Sequence, residues 1–397
     1  MKTTTDILII GGGIIGLTLA RELVLQGHTG ITIIEKEPEL GKHASGRNSG
    51  VLHAGIYYDP DSAKAKFCLK GNRLLRRYCY EKGLPVLESK KVIVAQNERE
   101  LPILQELHKR AVANGAQVEL IDEKRLEEFE PNAKTCHQAL LSYDTVVVDP
   151  KQVLSALQKE LLDTGKVQIL FNCLFRGIKK NSIIETSQGE IQYGFLINAA
   201  GAYSDKVAQS FGLAQNLRMV PFKGIYKKLK KEKAYLVNGN IYPVPDIRNP
   251  FLGVHFTRNV HGEVYLGPTA IPALGRENYG ILEGIDREGF QILYRDAVLF
   301  CTNPKFREVA LTEPRKYIHS YFYNNAKKLV KKLELNDIES TSKSGIRAQL
   351  VDWDKKELVM DFMVLKEKNS LHLLNPISPA FTSSMEIAKT VVKDYFS

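Results

Sequence analysis

The chain has little cysteine for its length: five in 397 residues, at positions 68, 79, 136, 173 and 301. They form no CxxC pair and no histidine cluster lies beside them. The pattern argues against a zinc site and a disulfide framework and predicts free thiols in a reducing compartment. Long apolar runs are missing too. The longest near the start, Ile7 to Ile10, breaks straight into three glycines. A spanning helix needs ~20 apolar residues, and a secretory signal needs a basic start, an apolar stretch and a small-residue cleavage site. The expected location is therefore cytoplasmic, with peripheral contact on the inner face of the cell membrane left open. No internal repeat, low-complexity segment, P-loop, metal-ligand cluster or nucleophilic triad is present. Acidic residues are in deficit: 45 Asp and Glu against 55 Lys and Arg give a net charge of +10. That excess points to an anionic partner, whether small substrate, cofactor phosphate, membrane surface or nucleic acid. Ordinary apolar content (44%) excludes wholesale disorder, and the length suits two packed domains of ~100–200 residues each.

What is present begins at once. Asp6 to Ile10 has strand composition and ends in GGGIIG, which fits GxGxxG at Gly11, Gly13 and Gly16. A helical pattern follows, with Ile15, Leu19, Ala20, Leu23 and Val24 on one face, up to Gln26-Gly27. A second apolar strand, Ile31 to Ile34, ends on Glu35 and Lys36. The three glycines act differently. Gly11 permits the tight turn, Gly13 lets a pyrophosphate approach the backbone, and Gly16 lets helix and strand pack closely. The helix N-terminus at Ile14 and Ile15 turns its N–H groups and dipole to the phosphates. Glu35, 19 positions after Gly16, can accept hydrogen bonds from the adenosine ribose. A glycine fingerprint alone is weak, but the strand, turn, helix, strand and acid all fall at the spacing of a dinucleotide site.

The continuation favours FAD over NAD. Small polar residues follow the second strand, with Ser45, Arg47, Asn48 and Ser49 able to reach phosphate and ribityl oxygens. Far downstream a strand breaks into Ala199-Ala200-Gly201 before a helix. Near the C-terminus Pro379, Ala380, Phe381 and Thr382 precede a helix expected from about Met385 to Phe396, whose Ser/Thr cluster can cap it.

These segments carry a resemblance. GGGIIG with Glu35, ASGRNSGVLHAGIYY, INAAGAYSDKVA, PFKGIY, GPTA, SGIRAQLVD and SPAFTSS, in that order across nearly the whole chain, resemble the L-2-hydroxyglutarate dehydrogenase/oxidase family, within the wider D-amino-acid-oxidase-like group. The resemblance implies an α/β fold in which a Rossmann-like FAD-binding domain is interleaved with a mixed, mostly antiparallel-sheet substrate domain. It implies FAD-dependent oxidation of L-2-hydroxyglutarate to 2-oxoglutarate, by hydride transfer from C2 to flavin N5, with quinone or oxygen as electron acceptor. The expected FAD-binding segments are 1–85, 145–218 and 338–397. The expected substrate segments are 86–144 and 219–337.

Hydride transfer needs a held substrate, an acceptor for the hydroxyl proton and a dry site over the flavin. His53, in the segment expected along the flavin, is the first candidate base, since imidazole titrates near neutrality; His255 on a strand is the second. A dicarboxylate needs cationic or donor-rich ends, preferably a bidentate Arg. Arg347 stands where the wider group resembles GLRP, whose Arg clamps the substrate carboxylate, although Ala348 replaces the Pro. Lys223, Tyr226, Tyr242 and Arg258 are candidates for the second carboxylate. A metal is not expected. The resemblance leaves rivals open: a glycerol-3-phosphate dehydrogenase or an amino-acid or amine oxidase of the same fold, or a redox-inactive nucleotide-binding scaffold.

From Asp286 to Leu335 the pattern becomes helical and basic. Lys305, Arg307, Arg315, Lys316, Lys327, Lys328, Lys331 and Lys332 stand against Glu308 and Glu313, interleaved with Tyr317, Tyr321, Phe322 and Tyr323. A solvated basic face and a peripheral membrane contact are both compatible with it. No recognition motif accompanies the charge, so nucleic acid is not expected.

Overall fold

The computed structural model describes residues 2–180, 182–245 and 252–396. The sequence predicts a break between short strands at Asn181-Ser182 and mostly antiparallel strands from Ile241 to Gly267; Asn181 and residues 246–251 lie outside the described residues. Contacts divide the chain into two units, 1–48 with 150–220 and 347–397, and 49–149 with 221–346. Residues 49–85 fall with the second unit, whereas the sequence groups them with the FAD-binding segments. The reason is strand pairing: Val51–Leu52 and Val86–Leu87 both pair with Val146–Val148 in a small sheet of that unit.

The first unit is α/β and Rossmann-like. The Lys2–Ile10 strand lies between Gly189–Asn198 and Ile31–Ile34, parallel to both, and Ile31–Ile34 is parallel to Val167–Leu170 beyond it. Strands covered on both faces read as unbroken apolar runs. Accordingly Leu8, Ile9, Ile33, Leu196 and Ile197 are all fully buried. The helix Ile14–Leu25 forms where the apolar period changes from two to 3.6, and it buries Leu17, Leu19, Ala20 and Leu23 completely. Leu17 falls off the face read from sequence. The helix also packs on the C-terminal helix Ala380–Phe396, where Thr18 Oγ1 donates to Ser384 O at 3.2 Å. It ends at Gly27, whose φ of +93° suits glycine. That C-terminal helix begins at Ala380, five residues before the expected start at Met385. Its first turn, Thr382 to Ser384, is buried in place of capping from outside.

The second unit is built on a mostly antiparallel sheet. Its order runs Val118–Asp122, Gln138–Ser142, Lys91–Val94, Asn240–Pro243, His255–Arg258, Val264–Gly267, Leu217–Leu229 and Ile338–Asp352. The last two strands are long, and each continues along the chain into the first unit. The helix Ala63–Glu81 is capped by Ser62, whose Oγ accepts from Ala65 N at 3.1 Å. The sequence pattern predicts a basic amphipathic helix over Cys68–Tyr80 that buries Leu69, Leu74, Leu75 and Tyr78; the structure buries Leu69, Leu75 and Tyr78 and leaves Leu74 half-buried. The expected helical segment forms Glu288–Thr302, Pro304–Thr312 and His319–Ala326. Phe322 and Ala326 of the third helix join Val92, Val94, Leu141 and Phe256 of the sheet in one apolar core.

Candidate functional site

In the first unit the glycine turn is closed by the strand end and by Glu35. Gly12 N donates to Glu35 Oε2 at 2.9 Å, and Glu37 N donates to Oε1 of the same carboxylate at 3.0 Å. Two backbone donors hold Glu35 in place while its remaining lone pairs stay able to accept from hydroxyls. At the helix start Ile14 N donates to Ser45 Oγ at 3.0 Å. Ser45 thereby stands over the helix N-terminus, 31 positions on in sequence. Arg47 ends the short helix Ala44–Arg47, and Asn48 Nδ2 donates back to Ser45 O at 2.8 Å. Lys36 Nζ lies 5.6 Å from the Tyr203 ring, just beyond Ala199-Ala200-Gly201. Pro379 to Thr382 stand at the start of the C-terminal helix. The loop before them is held by Asn375, whose Nδ2 donates to Val359 O (2.8 Å) and Asp361 O (2.9 Å) and whose Oδ1 accepts from Leu350 N (3.1 Å). Arg347 belongs to this unit and lies half-buried within the strand Ile338–Asp352. Ala348, which stands in the place of the wider group's Pro, lies in the same strand, where it retains a backbone N–H that Pro would lack.

The second unit brings together Tyr226, Tyr242 and His255. Tyr242 and His255 rings stack at 3.8 Å with 22° between planes. Tyr226 packs edge-on to Tyr265 at 6.3 Å, and Lys343 lies over both rings, at 5.2 and 4.4 Å. His255 Nδ1 is 3.0 Å from Gly253 O. A carbonyl only accepts, so Nδ1 donates in this contact. Two candidates for the second carboxylate are turned to protein acceptors. Lys223 Nζ donates to Gly280 O at 2.6 Å and to Asn278 Oδ1 at 3.4 Å, and burial lowers its pKa. Arg258 Nη1 donates to Ala234 O (3.1 Å) and Val237 O (3.0 Å). Its charge acts on the buried Glu130, whose carboxyl burial pushes up to about 7 against the pull of two backbone N–H donors and Arg258.

His53 and Ser49 also lie in this unit. The backbone at His53 is fixed by buried Asn72, whose Nδ2 donates to Leu52 O (2.9 Å), His53 O (3.1 Å) and Asp144 O (3.0 Å). Cys68 Sγ donates to His53 O at 3.3 Å. Asn72 sits inside a run read as a basic amphipathic helix. Nothing in that local pattern marks it as the anchor of a segment about 20 positions upstream.

A family model described as FAD dependent oxidoreductase (DAO) matches residues 6–393. L-2-hydroxyglutarate dehydrogenase, mitochondrial, of Bos taurus is 36% identical over 414 residues, covering 98% of this chain and 88% of that one. The bacterial L-2-hydroxyglutarate dehydrogenase of Indibacter alkaliphilus is 37% identical over 399 residues, covering 97% of each. The chain belongs to the L-2-hydroxyglutarate dehydrogenase family of FAD-dependent oxidoreductases. Among solved structures, L-alpha-glycerophosphate oxidase from Mycoplasma pneumoniae, with FAD bound, matches with a TM-score of 0.75 at 23% identity, covering 98% of this chain and 94% of that one. Glycine oxidase from Geobacillus kaustophilus matches at 0.72 and 17%, covering 99% and 94%. At those identities the likeness speaks for the fold.

The residues of the first unit fit FAD. A Cβ on Gly16 would lie 2.0 Å from Gly11 O, and one on Gly11 would lie 2.5 Å from Ala199 O, so both glycines are backed by protein. A Cβ on Gly13 would meet only Ser45 Oγ, at 3.1 Å. Gly13 therefore faces away from the packed backbone, as a glycine approached by a pyrophosphate must. Ser383 and Ser384 carry buried hydroxyls without hydrogen-bond partners, at the start of the helix whose first turn the sequence assigns to the cofactor. Gly11, Gly13, the N–H groups at the Ile14 helix start, Glu35 and Ser45 would hold the dinucleotide.

Proposed function

We propose that this chain oxidises the C2 hydroxyl of L-2-hydroxyglutarate to the ketone of 2-oxoglutarate, with FAD as cofactor. The observation that carries the reading is the 36–37% identity, across 97–98% of the chain, to animal and bacterial L-2-hydroxyglutarate dehydrogenases. The substrate loses a proton from its hydroxyl and a hydride from C2. FAD, when bound, supplies the two-electron acceptor. The protein must orient the dicarboxylate, exclude water and take the proton. In this reading Arg347 pairs with the α-carboxylate and His53 accepts the hydroxyl proton. His255 is the alternative acceptor. Tyr226 and Tyr242 serve the second carboxylate, and Lys223 and Arg258 shape their surroundings.

Anaerobic mixing of the yellow protein with L-2-hydroxyglutarate is expected to bleach the flavin band and to leave one 2-oxoglutarate per flavin. Bleaching by glycerol 3-phosphate or an amino acid, with none by this substrate, would overturn the assignment. A protein that neither retains nor takes up FAD would favour the scaffold reading.

For the electron acceptor the reading is a quinone reached from a membrane surface. No described helix is long and apolar enough to cross a membrane. The Glu288–Thr302 helix, however, leaves Phe290 81%, Leu293 54% and Tyr294 64% exposed. The spacing of these three places them on one face, and Ile281 and Leu282 before them are exposed as well. Exposed Arg287, Lys305 and Arg307 lie in the same stretch as exposed Glu283, Asp286 and Glu308. An exposed apolar helix face on a chain of net charge +10 suits an anionic lipid surface better than water. The protein is expected to co-sediment with phosphatidylglycerol vesicles at low salt. The double variant Phe290→Ser, Leu293→Ser should bind at least roughly tenfold more weakly. Equal recovery with anionic and zwitterionic vesicles would remove the charge argument, and no binding to either would remove the membrane contact.

A further inference from the structure

Lys91 is a charged residue in the middle of a core. It opens the strand Lys91–Val94, which is flanked on both sides by Asn240–Pro243 and Gln138–Ser142, and the whole residue is 1% exposed. Its Nζ has no hydrogen-bond partner, and among the described residues no carboxylate lies within ion-pair distance of it. What surrounds the ammonium is aromatic and neutral. The Tyr57 ring centroid is 4.8 Å away and the Tyr242 centroid 5.0 Å. The Cys68 thiol also faces it, but burial pushes that thiol up to about 12, so it remains protonated and offers no counter-charge. Burial pulls Lys91 itself down to about 8. Tyr57 adds a second buried polar atom without a partner, its hydroxyl.

Such a group is costly to keep. A desolvated ammonium held by two ring faces is less well satisfied than one with a carboxylate, and an apolar side chain of the same length would pack in its place without loss. The Tyr242 ring that carries it is also the ring stacked on His255. The uncompensated charge therefore stands against residues that the sequence and the proposed reaction both assign to the substrate.

We propose that Lys91 is a positioning residue for substrate charge: its caged ammonium, acting through Tyr57 and Tyr242, makes the Tyr242–His255 side of the second unit selective for a dianionic 2-hydroxy dicarboxylate over a monoanionic 2-hydroxy acid. This rests on the dicarboxylate reading above. It adds a source of selectivity that neither the glycine fingerprint nor Arg347 provides.

The test uses the FAD-loaded protein and two unreactive probes, glutarate and butyrate, whose binding is read from the perturbation of the flavin spectrum. Lys91→Met is expected to keep or raise the melting temperature, because a buried charge is replaced by a thioether of similar length. It should weaken glutarate roughly ten- to thirtyfold and leave butyrate within about threefold. Lys91→Arg, which keeps the charge, should retain the glutarate preference. A lower melting temperature with unchanged discrimination would make Lys91 structural and overturn the proposal, as would equal weakening of both probes. If Lys91→Met does not fold, Lys91→Gln takes its place, and failure of both to give folded protein would also mark the ammonium as structural. The two readings fail differently. Wild-type protein that L-2-hydroxyglutarate does not bleach sinks the substrate assignment, whereas bleaching combined with unaltered probe selectivity in Lys91→Met sinks only the role of Lys91.

Discussion

Gly16→Ala is expected to yield a colourless protein. The added Cβ would lie 2.0 Å from Gly11 O and 3.3 Å from the side chain of Ile9, and the obstructing oxygen is backbone that cannot rotate aside. Relief requires the start of the helix Ile14–Leu25 to move off the Lys2–Ile10 strand, at about 1–3 kcal/mol for overpacking. The same movement swings the N–H groups at Ile14 away from where phosphates would sit, and it parts Ser45 Oγ from Ile14 N. Flavin affinity should therefore fall by roughly two orders of magnitude or more, the equivalent of about 3 kcal/mol, together with a lower melting temperature of the FAD-free protein. Gly13→Ala is the contrasting case. Its Cβ meets only the Ser45 hydroxyl, at 3.1 Å, a contact relieved by a small shift, so the FAD-free protein should melt close to wild type while FAD binding weakens. The ratio of flavin to protein absorbance after purification, with melting curves of both FAD-free variants, checks this. Wild-type flavin content in Gly16→Ala would mean that the close approach of helix and strand does not shape the cofactor site.

These glycines were legible in sequence because everything that defines them is local. Strand, turn and helix follow one another within about 20 residues, and the change in apolar period is visible without knowing what packs where. Glu35 was legible by its distance from Gly16. Other features are set by partners remote in sequence. Residues 49–85 look continuous with the nucleotide segments because they are small and polar at their start, yet the strands Val51–Leu52 and Val86–Leu87 pair with Val146–Val148, far along the chain. The strand holding Arg347 alternates buried Ser344 and Ile346 with half-buried Gly345 and Arg347, an irregular polar pattern that reads as a loop. Lys91 is the extreme case. A Lys-Lys pair at the head of an apolar strand predicts an exposed strand end, and Lys90 and Lys91 are indistinguishable there. Only the assembled sheet separates them, with Lys90 half-buried over Phe129 and Tyr143 and Lys91 enclosed between Tyr57 and Tyr242. The exposed apolar face of the Glu288–Thr302 helix was hidden for a related reason. Apolar residues on both sides of a helix look like core until the structure shows which side is covered.

His53→Ala is expected to slow flavin reduction by L-2-hydroxyglutarate ~10²- to 10⁴-fold, the range for loss of a positioned general base, while the concentration giving half-maximal rate changes little. The split follows from what the residue is proposed to do: it takes a proton as C2 is oxidised and contributes no charge to ground-state binding. The structure supports a fixed position for its backbone. Val51 and Leu52 pair with Val147 and Val146, and Asn72 ties the carbonyls of Leu52 and His53 to that of Asp144. Asn72→Leu removes that tie without touching the imidazole, so it should lower the reduction rate by roughly tenfold through misplacement. His255→Ala distinguishes the two imidazoles. It unstacks Tyr242 and should act mainly on half-saturation. Flavin reduction at the wild-type rate in His53→Ala, with a collapse in His255→Ala, would transfer the base to His255.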